Sequence, residues 1–185
     1  MIKFSFFFLL IAISFLGLNL SCTDNIDFEQ ANDFVITPTV NLDLSSFSLV
    51  QEDFIGVNTN EFITEVNDTT QLELFNEQFF RENVTQVDFV LEFENTFDTF
   101  FESQVIFLNS NNVEELSIML DVAPGNDNDP TIASLVRTVA GEDLVALTGS
   151  DSFVIQLIPE ELPNPLEGAL SFQSRAVYFL EIDSE

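Results

Sequence analysis

Carboxylates are the side chains with which this 185-residue chain could do chemistry, because most other reactive residue types are scarce or missing. The sequence has 32 Asp and Glu, no His, one Cys, and only four Lys and Arg together. Without His, the Ser-His-Asp and Cys-His nucleophile systems and imidazole zinc sites are excluded. The six glycines are scattered singly and form no phosphate-binding loop. Glycoside hydrolysis by paired acids and metal binding through oxygen ligands remain.

Adjacent acids are a weak sign of a hydrolase in a chain this acidic. They occur at Glu114-Glu115, Glu142-Asp143 and Glu160-Glu161. A glycosidase needs two carboxyl groups at a set separation in a cleft, with the pKa of one raised by burial. Sugar sites also commonly use aromatic platforms, and this chain has no Trp and one Tyr. We therefore predict that the protein is not an enzyme, with a carboxylate-based glycoside hydrolase as the third alternative.

The densest group of oxygen ligands is the segment APGNDNDPT, which contains Asn126, Asp127 and Asp129. Several carboxylate and amide oxygens within a few residues are what calcium requires. The segment departs from the EF-hand loop, which has a glycine at its sixth position and a glutamate at its twelfth. The alternative is a Pro-Gly turn that leads into a helix capped by Asp129. Calcium is thus the one candidate cofactor, and it would serve an adhesive or carbohydrate-binding module.

The long apolar run at the start of the chain has the order of a secretory signal peptide. Lys3 is the only charge before Asp24, and FSFFFLLIAISFLGLNL lies between them. A transmembrane helix needs about 20 apolar residues, so length alone leaves both interpretations open. Gly17, Asn19 and Ser21 interrupt the end of the run, and no Lys or Arg follows to stop transfer. These features favour cleavage.

The residues around Cys22 resemble the bacterial lipoprotein signal peptide, in which a small residue precedes an obligatory cysteine. Ser21 is that small residue, and Leu18 and Leu20 precede it; Asn19 stands where a branched apolar residue is usual. The resemblance implies that residues 1–21 are removed and that Cys22 becomes an acylated N-terminus. Its acyl chains would exceed what stable anchoring requires. An ordinary signal peptide that leaves a free thiol, and an uncleaved anchor, are the alternatives.

Beyond Cys22 the chain is similar to the small envelope lipoproteins of flavobacteria, and this similarity implies no particular activity. Asp24 and Asp27 resemble the acidic signal that routes such proteins to the outer face of the outer membrane. The resemblance therefore implies a lipid-anchored protein of the outer membrane, on its surface-exposed or periplasmic face.

The charge of the chain limits its partners. All 32 acids follow residue 21, and the only cations there are Arg81, Arg137 and Arg175. Nucleic acid is excluded as a partner, because phosphate binding depends on Lys and Arg. We expect contact with the membrane through the lipid anchor, and a protein or glycan partner. The predicted role is a non-catalytic interaction or structural module of the cell envelope.

Alternating apolar and polar residues predict the fold. After an acidic tether at residues 22–33, residues 34–185 are expected to form a single domain. Period-2 alternation marks seven to nine short strands, for example in TVNLDLSSFSL, QVDFVLEFE and FESQVIFLN. Strands of this length, separated by Gly, Asn and Asp, are typical of a mostly β protein. We predict an antiparallel β-sandwich, either Ig-like or jelly-roll-like.

One short helix is expected near residues 130–140. Asp129 would cap it, Pro130 would occupy its first turn and Gly141 would end it. Ile132, Leu135, Val136 and Val139 have helical spacing. A shorter helical turn at residues 76–83 would bury Phe79 and Phe80.

The segment NTFDT at residues 95–99 suits a hairpin connection, so the runs before and after it are expected to pair antiparallel. Phe97 and Phe100 then lie in the turn. They either fold back over the edge of the sandwich or expose an apolar patch to a partner.

Overall fold

The computed structural model describes residues 34–56, 61–161 and 165–183. Residues Val35–Ile182 form one compact unit, which includes every described residue except Phe34 and Asp183. The strands are β1 (Val35–Ile36), β2 (Thr39–Leu49), β3 (Val66–Gln71), β4 (Val84–Asn95), β5 (Phe101–Leu108), β6 (Glu114–Met119), β7 (Thr131–Ala140), β8 (Ser152–Pro159), β9 (Leu170–Leu180) and β10 (Ile182–Asp183). Helices α1 (Gln78–Asn83) and α2 (Glu142–Thr148) and 3-10 turns at Gln51–Phe54 and Glu73–Asn76 accompany them.

The order of the strands is that of a jelly roll. From β2 to β9 the first strand pairs with the last, so that β2 pairs with β9, β3 with β8, β4 with β7 and β5 with β6, all antiparallel. This ribbon of strand pairs forms a first sheet, β2-β9-β4-β7, and a second sheet, β3-β8-β5-β6. Eight strands arranged in this way are the double-sheet jelly roll. The predicted antiparallel sandwich is confirmed, and its jelly-roll form is the correct one of the two expected.

The core lies between the two sheets and is rich in phenylalanine. In β4, Val87, Phe89, Leu91 and Phe93 are buried, while the residues between them are half-buried. Strand β5 repeats the pattern with Phe101, Ser103, Val105 and Phe107. The rings of Phe89 and Phe107 meet across the sandwich with their centroids 5.0 Å apart. The alternation in the sequence therefore identifies the buried face of these strands correctly.

The helix predicted near residues 130–140 is wrong, because this segment is strand β7. Val139 and Leu135 lie opposite Val87 and Leu91 of β4. Half of the ten residues of β7 are Thr, Ile or Val, whose branching at Cβ favours strands. Main-chain pairing with β4 therefore outweighs the local helix signals of the segment.

A helix does occur a few residues later, as α2. Gly141 stands before its first residue rather than after a last one, with φ at +61°, a conformation that glycine adopts easily. Helix α2 packs against β7, β6 and β4, and Leu147 is its buried residue. Helix α2 therefore covers the sandwich where the β7 and β6 edges lie.

The predicted hairpin between the runs around residues 89 and 105 is also wrong. Strand β4 pairs with β7 and β9 in the first sheet, whereas β5 pairs with β6 and β8 in the second. The connection between them is an arch that crosses from one sheet to the other, a distance of about 10 Å. Both runs bury one face. Two strands that face each other from opposite sheets bury one face each, just as two paired strands of a hairpin do, so the alternation could not distinguish the two arrangements.

The helical turn expected at residues 76–83 corresponds to α1, and its burial was predicted correctly for one of the two aromatic residues. Phe80 is buried, whereas Phe79 is 57% exposed. The Phe80 ring contacts Tyr178 of β9 edge-on, with centroids 5.0 Å apart. Burial in this aromatic cluster raises the pKa of Tyr178 to about 12.

The expected signal peptide at residues 1–21, the lipid attachment at Cys22 and the tether at residues 22–33 lie outside the described residues. Within the described ranges, no helix combines the length and apolarity needed to cross a bilayer.

Candidate functional site

A polar groove of about 450 Å³ lies on the face of the first sheet that points away from the core. Two cross-strand rows form its floor. Asp43, Arg175 and Val90 make up one row on β2, β9 and β4, and Ser46, Gln173 and Glu92 make up the other. These side chains point outward because they alternate with core residues such as Phe172 and Ala176.

A bulge in β2 shapes the groove. Leu44 is the extra residue, since Asp43 pairs with Arg175 and Ser45 already pairs with Ser174. The buried Ser174 holds the bulge in place: the Ser45 amide donates to Ser174 Oγ, and Ser174 Oγ donates to the Ser45 carbonyl, both at 3.2 Å. A bulge bends its strand and redirects side chains, and bulges are common beside binding sites. It separates the two rows of the groove along β2.

Arg175 is the cation of the groove, and it has no partner among the residues that the structure describes. Among the described residues, the one ion pair joins Arg137 Nη2 to Asp143 Oδ2 at 2.9 Å. Arg81 Nη1 donates to the Phe75 carbonyl at 2.7 Å. Arg175 makes neither kind of contact with any described residue, although Asp43 lies opposite it in register. Arg175 is exposed and lines the groove, so its N–H donors are available to a ligand there.

The remaining polar groups supply both acceptors and donors. Gln173 Nε2 donates to Glu92 Oε1 at 2.7 Å, which orients the two side chains along the groove. Asp43 and Ser46 are exposed on β2, and Val90 adds an apolar surface at the β4 end of its row. The groove can thus hold a ligand that has several hydroxyl, amide or carbonyl groups and one apolar face.

The candidate calcium ligands lie far along the chain from the groove residues, in a turn before β7. The Asn126 side-chain oxygen accepts the amides of Asn128 and Asp129, each at 3.1 Å, and the backbones of Asn126 and Asp129 bond each other. That oxygen is therefore occupied by the turn, and Asp129 does not cap a helix. Asp127 and Asp129 are exposed. Calcium binding here stays a prediction.

The acidic pairs lie on separate elements. Glu114-Glu115 belongs to the edge strand β6, Glu142-Asp143 to the first turn of α2, and Glu160-Glu161 follows β8. Arg137 holds Asp143. The described part of the chain has no cluster of three or more Asp, Glu, His or Cys residues that could hold a metal ion.

Sequence reasoning missed the groove. It treated Arg175 only as one of three cations. A usable signal was present, because Arg175 is the one charged residue of the run GALSFQSRAVYFL and stands at an outward position of its alternation. Its neighbours in the groove come from strands far apart in the sequence, and no local pattern identifies them.

Comparisons with known proteins add no function. No family model matches the chain, and no curated protein matches it. Similar solved structures include the IBDV viral particle (9% identity, TM-score 0.41, 80% of this chain and 31% of that chain) and the infectious bursal disease virus VP2 subviral particle (8%, 0.40, 82% and 34%). Another is the enzymatically active domain of bacteriophage CBA120 tailspike protein 4 (13%, 0.37, 80% and 19%). The chain spans about a third or less of each, and with TM-scores this low the fold assignment rests on strand order alone.

Proposed function

We propose that this protein is a lipid-anchored protein of the cell envelope with a non-catalytic interaction role, and that it binds its partner in the groove of the first sheet. The observation that carries the proposal is Arg175, whose guanidinium has no partner within the described part of a chain of net charge −28. In so acidic a protein, many carboxylates are available to pair with each of the three arginines. An arginine left free beside polar side chains favours a role in binding.

The chemistry of the groove favours binding over catalysis. A glycosidase holds one of its carboxyl groups buried, so that the pKa is raised and the group can act as an acid. Asp43 is exposed, and Glu92 already accepts a hydrogen bond from Gln173. These side chains are suited to recognising hydroxyl and amide groups.

The attachment to the membrane rests on the sequence around Cys22. Acylation there would hold the sandwich at the outer membrane on a tether of residues 22–33, with the groove free to meet a partner. This arrangement needs no membrane-spanning segment, because multiple acyl chains on one cysteine anchor a protein stably.

We expect mass spectrometry of the purified protein to show loss of residues 1–21 and added acyl mass on Cys22. The Cys22→Ala variant should carry no acyl mass and should leave the membrane fraction. Protease treatment of intact cells then reports whether the wild-type domain is outside. An intact Met1 or an unmodified Cys22 thiol in the wild type would overturn the lipid anchor.

A carbohydrate-binding module is the second candidate, and the mixture of groups in the groove favours it. Asp43 and Glu92 offer acceptors, Arg175 and Gln173 offer donors, and Val90 offers an apolar surface for a sugar ring. Neutral sugars suit the site better than acidic ones, because the net charge of −28 repels anions.

On an array of neutral glycans, we expect the wild-type protein to bind a subset of them and Arg175→Gln to lose about tenfold or more in affinity, the loss of a hydrogen bond to a charged group. Arg137→Gln is the control, since it removes the same charge outside the groove and should bind normally. Equal losses in both variants would assign the effect to charge alone. If chelation of calcium abolishes wild-type binding, the calcium-dependent form is supported.

A further inference from the structure

One of the four edge strands of this sandwich has none of the acids, bulges or short length that protect the other three. Edge strands expose unpaired main-chain groups, and proteins protect them with charges, bulges or short length. Strand β2 has Asp43 and a bulge, β3 has six residues with Asp68, and β6 has six residues with Glu114 and Glu115. Strand β7 has ten residues, no register shift against β4 and no acid.

The free edge of β7 is accessible and partly apolar. Among the described residues, the backbone partners of Ile132–Ala140 all belong to β4. Ile132 and Val136 are 54% and 63% exposed on the outer face. The one charged residue of the strand, Arg137, is already paired with Asp143. Helix α2 packs against β7, and its Asp143 pairs with Arg137 in the second half of the strand. The half of the edge that begins at Thr131 is therefore the part offered to another strand.

The sequence of β7 is complementary to itself in one antiparallel register. If Ser134 lies opposite Ser134 of a second copy, Ile132 of each copy lies opposite Val136 of the other, on the outer face. Shifting the register by two residues would place Val136 opposite Ser134 and lose both apolar pairs. Cross-strand pairs of branched apolar side chains stabilise a sheet.

The distribution of charge favours this edge over the others for a second copy. The carboxylate at this edge, Asp143 of α2, is paired with Arg137. The nearest strand with outward carboxylates is β4, with Asp88, Glu92 and Glu94. Across a β7–β7 junction the two β4 strands would be three strand spacings apart, about 14 Å, which exceeds the Debye length of about 8 Å at physiological salt. Pairing through β2, β3 or β6 would bring carboxylates to the junction itself.

We propose that two copies of this protein associate through β7, antiparallel about Ser134, so that their first sheets join into one eight-stranded sheet. The junction involves Thr131–Arg137 of each copy. The groove at β2, β9 and β4 stays open in this dimer, one on each side of the two-fold axis. The contact is shorter than a typical stable interface, so we expect an equilibrium between monomer and dimer.

Disulfide trapping tests the register. In the full chain with Cys22→Ser, we expect Ser134→Cys to form a covalent dimer on mild oxidation, because the two Cα atoms would lie about 4.5–5.5 Å apart. Thr138→Cys is the matched control on the same face of the same strand, where the two copies would lie about 27 Å apart. Trapping of Ser134→Cys alone supports the proposal. Trapping of both variants, of neither, or of Thr138→Cys alone overturns it.

Sedimentation of the uncross-linked protein tests the interface without a thiol. We expect Val136→Lys to weaken the dimer about tenfold, since two apolar pairs are lost per dimer. Met119→Lys on β6 adds the same charge at a residue that is 73% exposed, and it should leave the dimer intact. The wild-type dimer should strengthen between about 0.05 and 0.5 M NaCl, because salt screens the repulsion between acidic copies. A monomer at every salt concentration, or equal weakening by both lysine variants, would contradict the proposal.

Discussion

Replacing Asn95 by Ala is expected to lower the free energy of unfolding by about 3–5 kcal/mol, because the buried side chain satisfies three main-chain groups. Asn95 ends β4 and is fully buried. Its Nδ2 donates to the carbonyls of Thr99 and Ala123, at 3.0 and 2.9 Å, and its Oδ1 accepts the Phe97 amide at 2.9 Å. The alanine variant would leave these groups inside the protein without partners.

The position of Asn95 explains why neighbouring structure cannot compensate. Asn95 begins the arch from the first sheet to the second, and the backbone around it is closely packed. A Cβ on Gly125 would lie 2.0 Å from the Asn95 carbonyl oxygen, and one on Gly168 would lie 2.6 Å from the Thr96 carbonyl oxygen. The Gly125 amide also donates to the Phe97 carbonyl at 2.8 Å. The arch is therefore held on both sides by glycines.

Asn109→Ala is the matched control for Asn95→Ala. The Asn109 Oδ1 also accepts two backbone amides, those of Asn111 and Val113, at 2.9 and 3.1 Å. These bonds lie at the surface, where water can replace them, so we expect a loss of under about 1 kcal/mol. Urea unfolding at low protein concentration measures both variants. Equal losses would show that the arch depends on backbone packing rather than on Asn95.

Replacing Phe97 by Ala is expected to cost about 3–5 kcal/mol of unfolding free energy, the usual cost of truncating a buried phenylalanine. Phe97 lies in the arch and is 0% exposed. Its ring meets Phe54 edge-on and Phe101 at a tilt, with centroids 5.8 Å away in each case. Phe54 and Phe101 are also 5.8 Å apart, so the three rings form a triangle at the edge of the sandwich. Truncating one of them opens a cavity that the other two cannot fill.

Phe79→Ala is the control for Phe97→Ala, because it removes the same side chain from an exposed position on α1. We expect it to change the free energy of unfolding by less than about 1 kcal/mol. The two phenylalanines test the alternatives left open by the sequence, in which Phe97 either folds over the sandwich edge or faces a partner. A small loss for Phe97→Ala would mean that the arch is open in solution.

The strands were predictable because alternation is a local property. In β2, Val40, Leu42 and Leu44 face the core between exposed Asn41 and Asp43, as their spacing indicates. The same holds for β4 and β5. The pairing of the strands was not predictable, since an apolar face specifies that a strand is buried and not which strand lies beside it. The predicted hairpin at residues 95–99 failed for this reason.

The error at residues 130–140 has a different origin. Asp129, Pro130 and Gly141 are signals for the ends of a helix, and the apolar spacing between them agrees with one. The neighbouring strand β4 forms a full ladder of main-chain hydrogen bonds with this segment. The sequence of the segment alone cannot indicate that contact. Tertiary pairing therefore determined the secondary structure here.

The complete set of residues that line the groove could not have been predicted from the sequence. Ser45 and Ser174, whose hydrogen bonds hold the bulge, are 129 residues apart. Arg175, Asp43 and Glu92 come from three strands that become neighbours only when the ribbon of strand pairs rolls up.

The sequence by itself determined that this chain is a mostly β, antiparallel sandwich with a phenylalanine core, because alternation and composition act residue by residue. Only the tertiary structure decided that the sandwich is a jelly roll, that Arg175 lies in a polar groove without a partner among the described residues, and that β7 is a long edge strand without acids or a bulge. These features depend on which strands lie side by side. Strand pairing is made by main-chain hydrogen bonds between distant segments, and the residues of one segment do not specify its partner.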